Sequence, residues 1–334
     1  MKLHPKVIYS PHYDIQCFGI EKLHPFDGCK YGRSWQEIEN EFGGDLISKW
    51  SVSPKSQVTN DELLTVHSED YLSLLKSPQY VARAIELPFL GILPIWLLDK
   101  IVVEPMRWAT KGTILAAEEA LNNGMSINLS GGYHHASKEN GEGFCLYSDI
   151  AISIALLRKS GKLLTGDQIL IIDLDAHQGN GLERIFLLDK DVRILDMYNR
   201  DIYPNDSLAK KKIDCDIPLN SGVGDQEYLT KLKVWLPKFL EGSSNPKIAF
   251  YNAGNDIYES DPLGNLHISD QGVFERDKFV FDTLTKAKVP WVMLLSGGYT
   301  KESYRLIADS VGYVLRTWGF DDSGNVNSEK VASC

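Results

Sequence analysis

The most telling segment of this chain is residues 169–181, which read ILIIDLDAHQGNG. The opening residues are apolar and mostly β-branched, a pattern that predicts a short strand buried on both faces. Asp173, Asp175 and His177 then occupy every second position, so their side chains should point to one side of the extended chain. Polar groups beyond a buried strand are costly unless they are paired or bind an ion. We therefore predict a metal site here, with a structural salt-bridge network as the alternative.

A second strand end offers the remaining metal ligand. Residues 247–256, KIAFYNAGND, also pass from an apolar run into a carboxylate, that of Asp256. Two aspartates and one histidine around a divalent ion leave a coordination position open, as in catalytic rather than structural zinc sites. Iron(II), cobalt or manganese could replace zinc, because carboxylate and imidazole ligands discriminate poorly among these metals.

Two adjacent histidines follow a third predicted strand. Residues 125–129, MSINL, read as the strand, and SGGYHHA occupies 130–136. Neighbouring side chains diverge, so a purely structural pair, the alternative, would need two separate sets of partners. We interpret His134 and His135 as groups that move protons during hydrolysis, a role worth about 10²–10⁴-fold in rate.

A fourth strand end carries a tyrosine. The apolar run at 289–295, VPWVMLL, is followed directly by SGGY at 296–299. Tyr299 on this glycine hinge could swing its phenol towards a substrate carbonyl. Its ordinary pKa of about 10 keeps the phenol protonated. It could therefore donate a hydrogen bond to a developing oxyanion.

Chemistry at four strand ends predicts an α/β fold with an open, mainly parallel sheet and helices on both faces. In such sheets, ligands gather beyond the carboxyl ends of the strands. Helical patterns lie between the strands at 110–123, at 148–157 (with Ser148 as the N-cap) and at 272–288. The alternation of strands and helices, without a linker or repeat, favours one domain over residues 1–320. Residues 321–334 should form a frayed polar tail.

These motifs resemble those of the arginase–deacetylase superfamily, and within it the zinc-dependent histone deacetylases. The similarity runs from about residue 5 to residue 317. Gln178 and Asn180, with the YNR and NAG sequences, are most similar to the class IV branch. The matching blocks are HPFD at 24–27, GGYHHA at 131–136, GFC at 143–145, DLDAHQGNG at 173–181, YNRDIYP at 198–204, NAGND at 252–256 and SGGY at 296–299.

The resemblance implies one zinc ion, or Fe²⁺ or Co²⁺ in its place, bound by Asp175, His177 and Asp256. Arginases supply a carboxylate to a second manganese at the position of Gly179, so a single metal is expected. The resemblance also implies a structural potassium ion near the main chain of the first strand end. The residues of that potassium site would be Asp173, Asp175, His177, Asp196 and Met197.

The resemblance assigns the proton-transfer roles as well. His134 and His135 would be the tandem acid–base pair, and Tyr299 the phenol that polarises the carbonyl. Asp173 stands where the family holds the acidic partner of the first histidine. Asn180 stands where class I members have a second aspartate, so His135 should be the less basic histidine.

The resemblance further implies a substrate tunnel lined by Gly143, Phe144 and Tyr203. The most hydrophobic segment of the chain, residues 87–103, contains prolines and charges and is too broken to span a membrane. We expect it to pack as helix beside the site. An apolar surface that receives a greasy acyl chain is the alternative.

The composition points to a cytoplasmic protein with basic substrates. The net charge of −10 argues against direct nucleic-acid binding and suits a lysine-rich or polyamine substrate. The five cysteines are scattered, odd in number and without a CxxC pair, which favours a reducing compartment. The N-terminus lacks the pattern of a signal peptide.

We therefore predict a zinc-dependent hydrolase of N-acyl-lysine amides, acting on an acylated lysine peptide or protein. The similarity to class IV implies a preference for long fatty acyl chains. An acetylpolyamine or other small-molecule amidohydrolase is the first alternative, and an acidic residue at the tunnel mouth would favour it. A non-catalytic scaffold is the second alternative. The sequence leaves the oligomeric state open.

Overall fold

A single sheet forms the centre of the fold. The computed structural model describes residues 3–15, 27–321 and 326, and eight strands within them share this sheet. They are β1 (Lys6–Ile8), β2 (Ser51–Val52), β3 (Met125–Asn128), β4 (Ile169–Asp173), β5 (Val192–Asn199), β6 (Cys215–Leu219), β7 (Ile248–Asn252) and β8 (Trp291–Leu294). Every neighbouring pair is parallel, in the order β2-β1-β3-β8-β7-β4-β5-β6. The predicted α/β class with an open parallel sheet is confirmed.

Twelve α-helices accompany the sheet in the described part of the chain. They are α1 (Lys30–Phe42), α2 (Gly44–Ile47), α3 (Asn60–Leu63), α4 (Glu69–Leu74), α5 (Pro78–Ala84), α6 (Ile95–Leu98), α7 (Glu104–Asn123), α8 (Asp149–Lys159), α9 (Asn180–Ile185), α10 (Asp225–Glu241), α11 (Asp270–Lys286) and α12 (Ser303–Trp318). A 3₁₀-helix covers Pro88–Ile92, and a π-helical turn at Asp99–Val103 runs directly into α7.

Helices cover both faces of the sheet because successive strand residues point in opposite directions. On β4, Ile169 and Ile171 pack in a cluster with residues of α7, α8 and α9. The alternate residues Leu170 and Ile172 pack in a second cluster with residues of α10, α11 and α12. These two layers bury the strands and leave their carboxyl ends as the edge where loops converge.

The predicted helices are present with different beginnings. Ser148 holds the N-cap position of α8, but its hydroxyl caps no backbone amide. Helix α7 begins at Glu104 rather than 110, because the preceding π-helical turn continues into it. Helix α11 begins at Asp270, where the hydroxyl of Ser269 accepts a hydrogen bond from the Gly272 amide. The first turn of α11 is polar and has no apolar periodicity, so the sequence pattern predicted the start of this helix too late.

Residues 87–103 form three short helical pieces rather than one packed helix, because Pro88 and Pro94 interrupt the chain. Leu90 and Leu98 are buried, whereas Phe89, Ile92 and Trp96 are 50%, 88% and 67% exposed. The prediction that this segment packs against the rest of the protein is therefore wrong for these three exposed side chains. No helix in the described ranges is long and apolar enough to cross a membrane.

Two sequence predictions fall largely outside the described residues. In the HPFD block, residues 24–26 lie outside them, and only Asp27 is described. In the predicted tail, residues 322–325 and 327–334 also lie outside them.

Candidate active site

Asp175, His177 and Asp256 come together beyond the ends of two neighbouring strands. β4 and β7 pair directly, so the loops that follow them meet at one edge of the sheet. One ligand atom from each of the three residues lies within 4.8 Å of the other two. His177 Nδ1 lies 2.8 Å from Asp256 Oδ2 and 3.2 Å from Asp175 Oδ1. All three side chains are buried, as a metal site requires and a solvated loop does not.

The electrostatics of this group fit a divalent cation. Burial, together with the facing carboxylate of Asp175, raises the pKa of Asp256 to about 7. Burial would lower the pKa of His177, but its hydrogen bonds to Asp175 and Asp256 raise it to about 10. Two carboxylates crowded in a buried site repel each other, and a bound cation would relieve that repulsion. One imidazole and two carboxylates suit zinc, iron(II), cobalt or manganese.

Backbone amides hold these carboxylates in place. Asp175 Oδ2 accepts from the Gly297 amide at 2.9 Å, and Asp256 Oδ1 accepts from the Ala176 amide at 2.9 Å. A side chain at Gly254 or Gly297 would collide with these same carboxylates. The glycines are therefore needed for the close approach of the loops.

His134 lies between two aspartates. Its Nδ1 is 2.9 Å from Asp173 Oδ2, and its Nε2 is 3.7 Å from Asp175 Oδ1. Asp173 is itself held by the Asn252 side-chain amide at 3.0 Å. Burial would lower the pKa of His134, but the charges of Asp173 and Asp175 raise it to about 9. These two carboxylates therefore favour the protonated form of His134.

His135 has a neutral partner instead. Its Nδ1 lies 2.7 Å from Oδ1 of Asn180, the first residue of α9. Burial, with the positive charges of His134 and His177, holds the pKa of His135 well below its ordinary value. His135 is therefore the less basic of the two adjacent histidines.

Tyr299 follows β8 on a loop that is anchored rather than free. The buried Lys30 ammonium donates to the carbonyls of Ser296, Gly297 and Gly298 at 2.8, 2.9 and 3.3 Å. The Tyr299 amide donates to Asp261 Oδ2 at 2.7 Å. Burial raises the pKa of the Tyr299 phenol well above its ordinary value, so it is a hydrogen-bond donor. These hydrogen bonds hold the backbone of the loop, whereas the sequence suggested a glycine hinge on which Tyr299 could swing.

Lys30 is a residue that sequence reasoning missed. It is fully buried in the first turn of α1, where a lysine would ordinarily be read as a solvated surface charge. Burial lowers the pKa of Lys30 to about 8, against the opposing charges of Asp256, Asp175 and Asp261. The sequence signal that could have identified Lys30 is its position three residues after the HPFD block.

Phe144 and Tyr203, which were predicted to line a tunnel, lie beside Tyr299 and His135. The Phe144 ring lies 5.7 Å from that of Tyr299, and the Tyr203 ring lies 5.2 Å from that of His135. Gly143 and Phe144 both have left-handed backbone, with φ of 54° and 64°. Such a conformation is costly for phenylalanine, and it is typical of functional sites. A cavity of about 30 Å³ lies beside them, lined by both histidines and by Tyr299.

Two further acidic residues at this edge were not singled out from the sequence. Glu86 has left-handed backbone (φ 57°) and interacts electrostatically with His177 and Glu142. Glu142 accepts a hydrogen bond from Asn180 Nδ2 at 2.7 Å and also bonds the Tyr203 hydroxyl. Glu86 lies in an apolar segment without a motif, whereas Glu142 directly precedes the GFC block.

The residues predicted for potassium lie together at the ends of β4 and β5, where Asp173 pairs with Asp196. Asp196 is fully buried and accepts from the Gly179 amide at 2.9 Å. Burial, with Asp173 and Glu183 nearby, holds the pKa of Asp196 well above its ordinary value. Among the described side chains, the metal-ligand grouping found is that of Asp175, His177 and Asp256. The potassium ion therefore stays a prediction.

Two histidines of unequal basicity beside a candidate metal centre, together with the phenol of Tyr299, form a site suited to hydrolysis. Water activation needs a base, and the developing oxyanion needs a donor. The class of protein that this fold and site define is a hydrolase built on an open parallel sheet, with its chemistry at the strand ends.

Comparison with known proteins gives the family. Residues 24–315 match the family described as Histone deacetylase domain. The chain is 45% identical over 312 residues to Histone deacetylase 2 of Arabidopsis thaliana, covering 93% of this chain and 78% of that protein. It is 29% identical over 314 residues to a probable deacetylase of Methanothermobacter thermautotrophicus, covering 89% and 86%. The chain belongs to the histone deacetylase family and is a hydrolase of the deacetylase type.

A solved structure supports the fold independently. The crystal structure of the HDA15 HD domain matches with a TM-score of 0.70 over 96% of this chain and 92% of that domain, at 19% sequence identity. The chain therefore has the arginase–deacetylase α/β fold.

Proposed function

We propose that this protein hydrolyses the amide between an acyl group and the side-chain nitrogen of lysine, with zinc as its metal. The observation that carries the proposal is the meeting of the Asp175–His177–Asp256 group with His134, whose Nε2 lies 3.7 Å from Asp175 Oδ1. The ligands and the proton-transfer groups thus share one buried space. The donor set fits zinc, although other divalent metals suit it as well.

The metal, when bound, would polarise the amide carbonyl and lower the pKa of water at the site. Tyr299 donates to the carbonyl oxygen as that oxygen gains negative charge. Lys30 and Asp261 hold the loop of Tyr299 so that its phenol keeps this position. A donor fixed in advance needs no reorganisation during the reaction.

The two histidines divide the proton transfers. His135 is neutral and accepts a proton from the attacking water through Nε2, since its Nδ1 faces Asn180. The protonated His134 stabilises the negative charge that develops beside it. When the carbon–nitrogen bond breaks, His135 returns the proton to the leaving lysine amine. The products are the free amine and a carboxylic acid.

We further propose a preference for long fatty acyl chains, as the similarity to class IV implies. Gln178 and Asn180 are the residues that carry the class IV assignment. The apolar side chains of Phe89, Ile92 and Trp96 are exposed on the segment that follows Glu86. Exposed apolar groups of this kind are suited to contact with a greasy ligand.

A second candidate substrate is an acylated polyamine. Glu86 and Glu142 place two carboxylates near the centre, and the chain carries a net charge of −10. Carboxylates at the entrance would attract a cationic chain. This is the acidic feature that the sequence alone did not reveal.

The cellular setting and domain organisation complete the proposal. Cys145 and Cys215 are free thiols in the described structure, which suits the cytoplasm. Cys145 donates to the Gly143 carbonyl, and burial raises its pKa well above the ordinary value, so it packs rather than reacts. We assign residues 1–320 to one catalytic domain.

A substrate panel tests the function. The zinc-loaded protein should be assayed with lysine peptides carrying acyl groups from acetyl to myristoyl, and with acetylspermidine. We expect kcat/KM to rise with chain length. Equal values for all chains would contradict the fatty-acyl preference, and a preference for acetylspermidine would select the second candidate. Failure to hydrolyse any acylated amine would overturn the proposed activity.

A further inference from the structure

His135 is linked to a carboxylate through an intervening amide. Its Nδ1 lies 2.7 Å from Asn180 Oδ1, and Asn180 Nδ2 donates to Glu142 Oε1 at 2.7 Å. His135 and Glu142 both lie in the loop between β3 and α8, and Asn180 is the first residue of α9. His135 and Asn180 are both buried, so water does not compete for the bond between them, whereas Glu142 is half-buried.

The chemistry of the groups fixes the direction of each hydrogen bond. An ionised carboxylate only accepts, so the amino group of the Asn180 amide must face Glu142. The carbonyl of the same amide must then face His135, and Nδ1 of His135 must carry the hydrogen. In a neutral imidazole the other nitrogen, Nε2, then has the free electron pair that a base requires.

Glu142 is itself held in orientation. Asn140 Nδ2 donates to Glu142 Oε2 at 3.1 Å, and the Tyr203 hydroxyl also bonds this carboxylate. The Cys145 amide donates to the Glu142 carbonyl at 2.9 Å, closing the tight turn through Gly143 and Phe144. The Glu142 carboxylate is therefore held in one orientation and does not move as a free surface group.

We propose that Glu142 is a positioning residue that sets the tautomer of His135 by orienting the Asn180 amide. The inference rests on the proposed function, in which His135 is the base, and it identifies Glu142 as the group that orients this base. His134 receives its orientation from Asp173 directly, and with it a negative charge. The two hydrogen bonds that link Glu142 to His135 through Asn180, here called the relay, orient His135 without placing a charge against its ring.

The first experiment measures the tautomer without using activity. In zinc-loaded protein labelled with ¹⁵N-histidine, the His135 signals are assigned by comparison with a His135→Asn variant. We expect the unmodified protein to carry its His135 hydrogen on Nδ1 and to leave Nε2 unprotonated. Glu142→Gln should give a mixture of tautomers, because a glutamine side chain can donate as well as accept. Protonated Nε2 in the unmodified protein would overturn the inference.

The second experiment is a double-mutant cycle. Glu142→Gln should lower kcat about 10–100-fold, as the loss of an orienting partner does, with KM little changed. In an Asn180→Asp background the new carboxylate accepts from His135 directly, and Glu142 becomes a repelling neighbour. Glu142→Gln should then leave kcat unchanged or raise it. Equal losses in the two backgrounds would show that Glu142 acts by another route.

Glu139→Gln is the matched control. It removes the same charge from the same loop, but its carboxylate bonds Ser68 rather than Asn180. We expect this variant to keep both the His135 tautomer and kcat. A Glu139→Gln effect as large as that of Glu142→Gln would assign the change to loop charge and overturn the inference. If the tautomer is as inferred while no substrate is hydrolysed, the proposed function fails and the relay stands.

Discussion

The floor of the active site (residues 134–135, 175–177 and 256) lies on strand ends, whereas the segment that we propose as its rim (residues 84–96) lies outside the sheet. Side chains of the floor are buried and bonded to several partners, many of them backbone amides. The rim contains a left-handed glutamate and three exposed apolar side chains. We infer from this difference that the sheet fixes the chemistry, and we propose that the rim selects the substrate.

The largest effect should come from breaking the floor. Asp256→Ala removes a proposed metal ligand, so we expect loss of most of the metal and a fall in activity of about 10³-fold or more. Elemental analysis should find about one divalent ion per chain in the unmodified protein. Asp216→Ala removes an exposed carboxylate on β6 and should keep metal and activity. Full activity in metal-free protein would contradict the role of the floor.

A smaller effect should follow the loss of the phenol above the floor. Tyr299→Phe keeps the ring and removes the donor, so kcat should fall about 10²–10³-fold, or roughly 2.7–4 kcal/mol. KM and metal content should change little, because the interaction strengthens only in the transition state. Steady-state kinetics with acetyl and long-chain substrates should give the same loss. A change confined to KM would instead make Tyr299 a binding residue.

The loop between β3 and α8, which contains the histidine pair, should respond to pH through His67. This buried ring accepts from the Ser148 amide at 3.0 Å and contacts the Lys138 carbonyl through Nδ1 at 3.3 Å. Burial lowers the pKa of His67 to about 4, so the unfolded chain binds the proton more readily than the folded one. The stability associated with neutral His67 is therefore fully present above about pH 6.5 and is lost as the pH falls towards about 4.

We expect this loss to reach about 3 kcal/mol at most. Urea unfolding at several pH values between these limits would measure it. His67→Gln should be less stable at neutral pH but should show a flatter pH profile. An equally steep profile in the variant would assign the acid sensitivity to other groups.

The smallest effect should come from the rim. Trp96→Ala should lower kcat/KM for long acyl chains by about 10-fold or less, because part of one apolar contact is lost. Values for acetyl-lysine should stay nearly constant. Trp235→Ala, on α10, is the matched control, since that tryptophan is also partly exposed. An equal loss for short and long chains would separate the rim from chain-length selection.

The sequence predicted the floor well because its signals are local. An apolar run that passes directly into Asp173, Asp175 and His177 carries both the strand and its chemistry in adjacent residues. Strand ends in a parallel sheet converge by geometry, so separate motifs could be assigned to one site. The structure brings Asp256 and Tyr299 to the same edge as these residues.

The missed features depend on contacts between distant segments. Lys30, Glu86 and Glu142 gain their roles from partners that no local pattern reveals. The hinge of Tyr299 was expected to be free because its glycines suggest mobility. Its tethers come from α1 and from Asp261, which lie far away in the sequence.

The position of β8 has a consequence for how the protein is made. This strand is the last of the described strands in the chain, yet it lies between β3 and β7 and joins the two halves of the sheet. The strands that carry Asp175, His177 and Asp256 can pair before β8 leaves the ribosome, so the metal ligands can assemble first. The histidine pair follows β3, on the other side of β8, and Lys30 must then reach across 266 residues to bond Ser296. Long-range pairing of this kind is slow to form. During synthesis, the half of the sheet next to the candidate metal ligands should therefore form before the complete active site does.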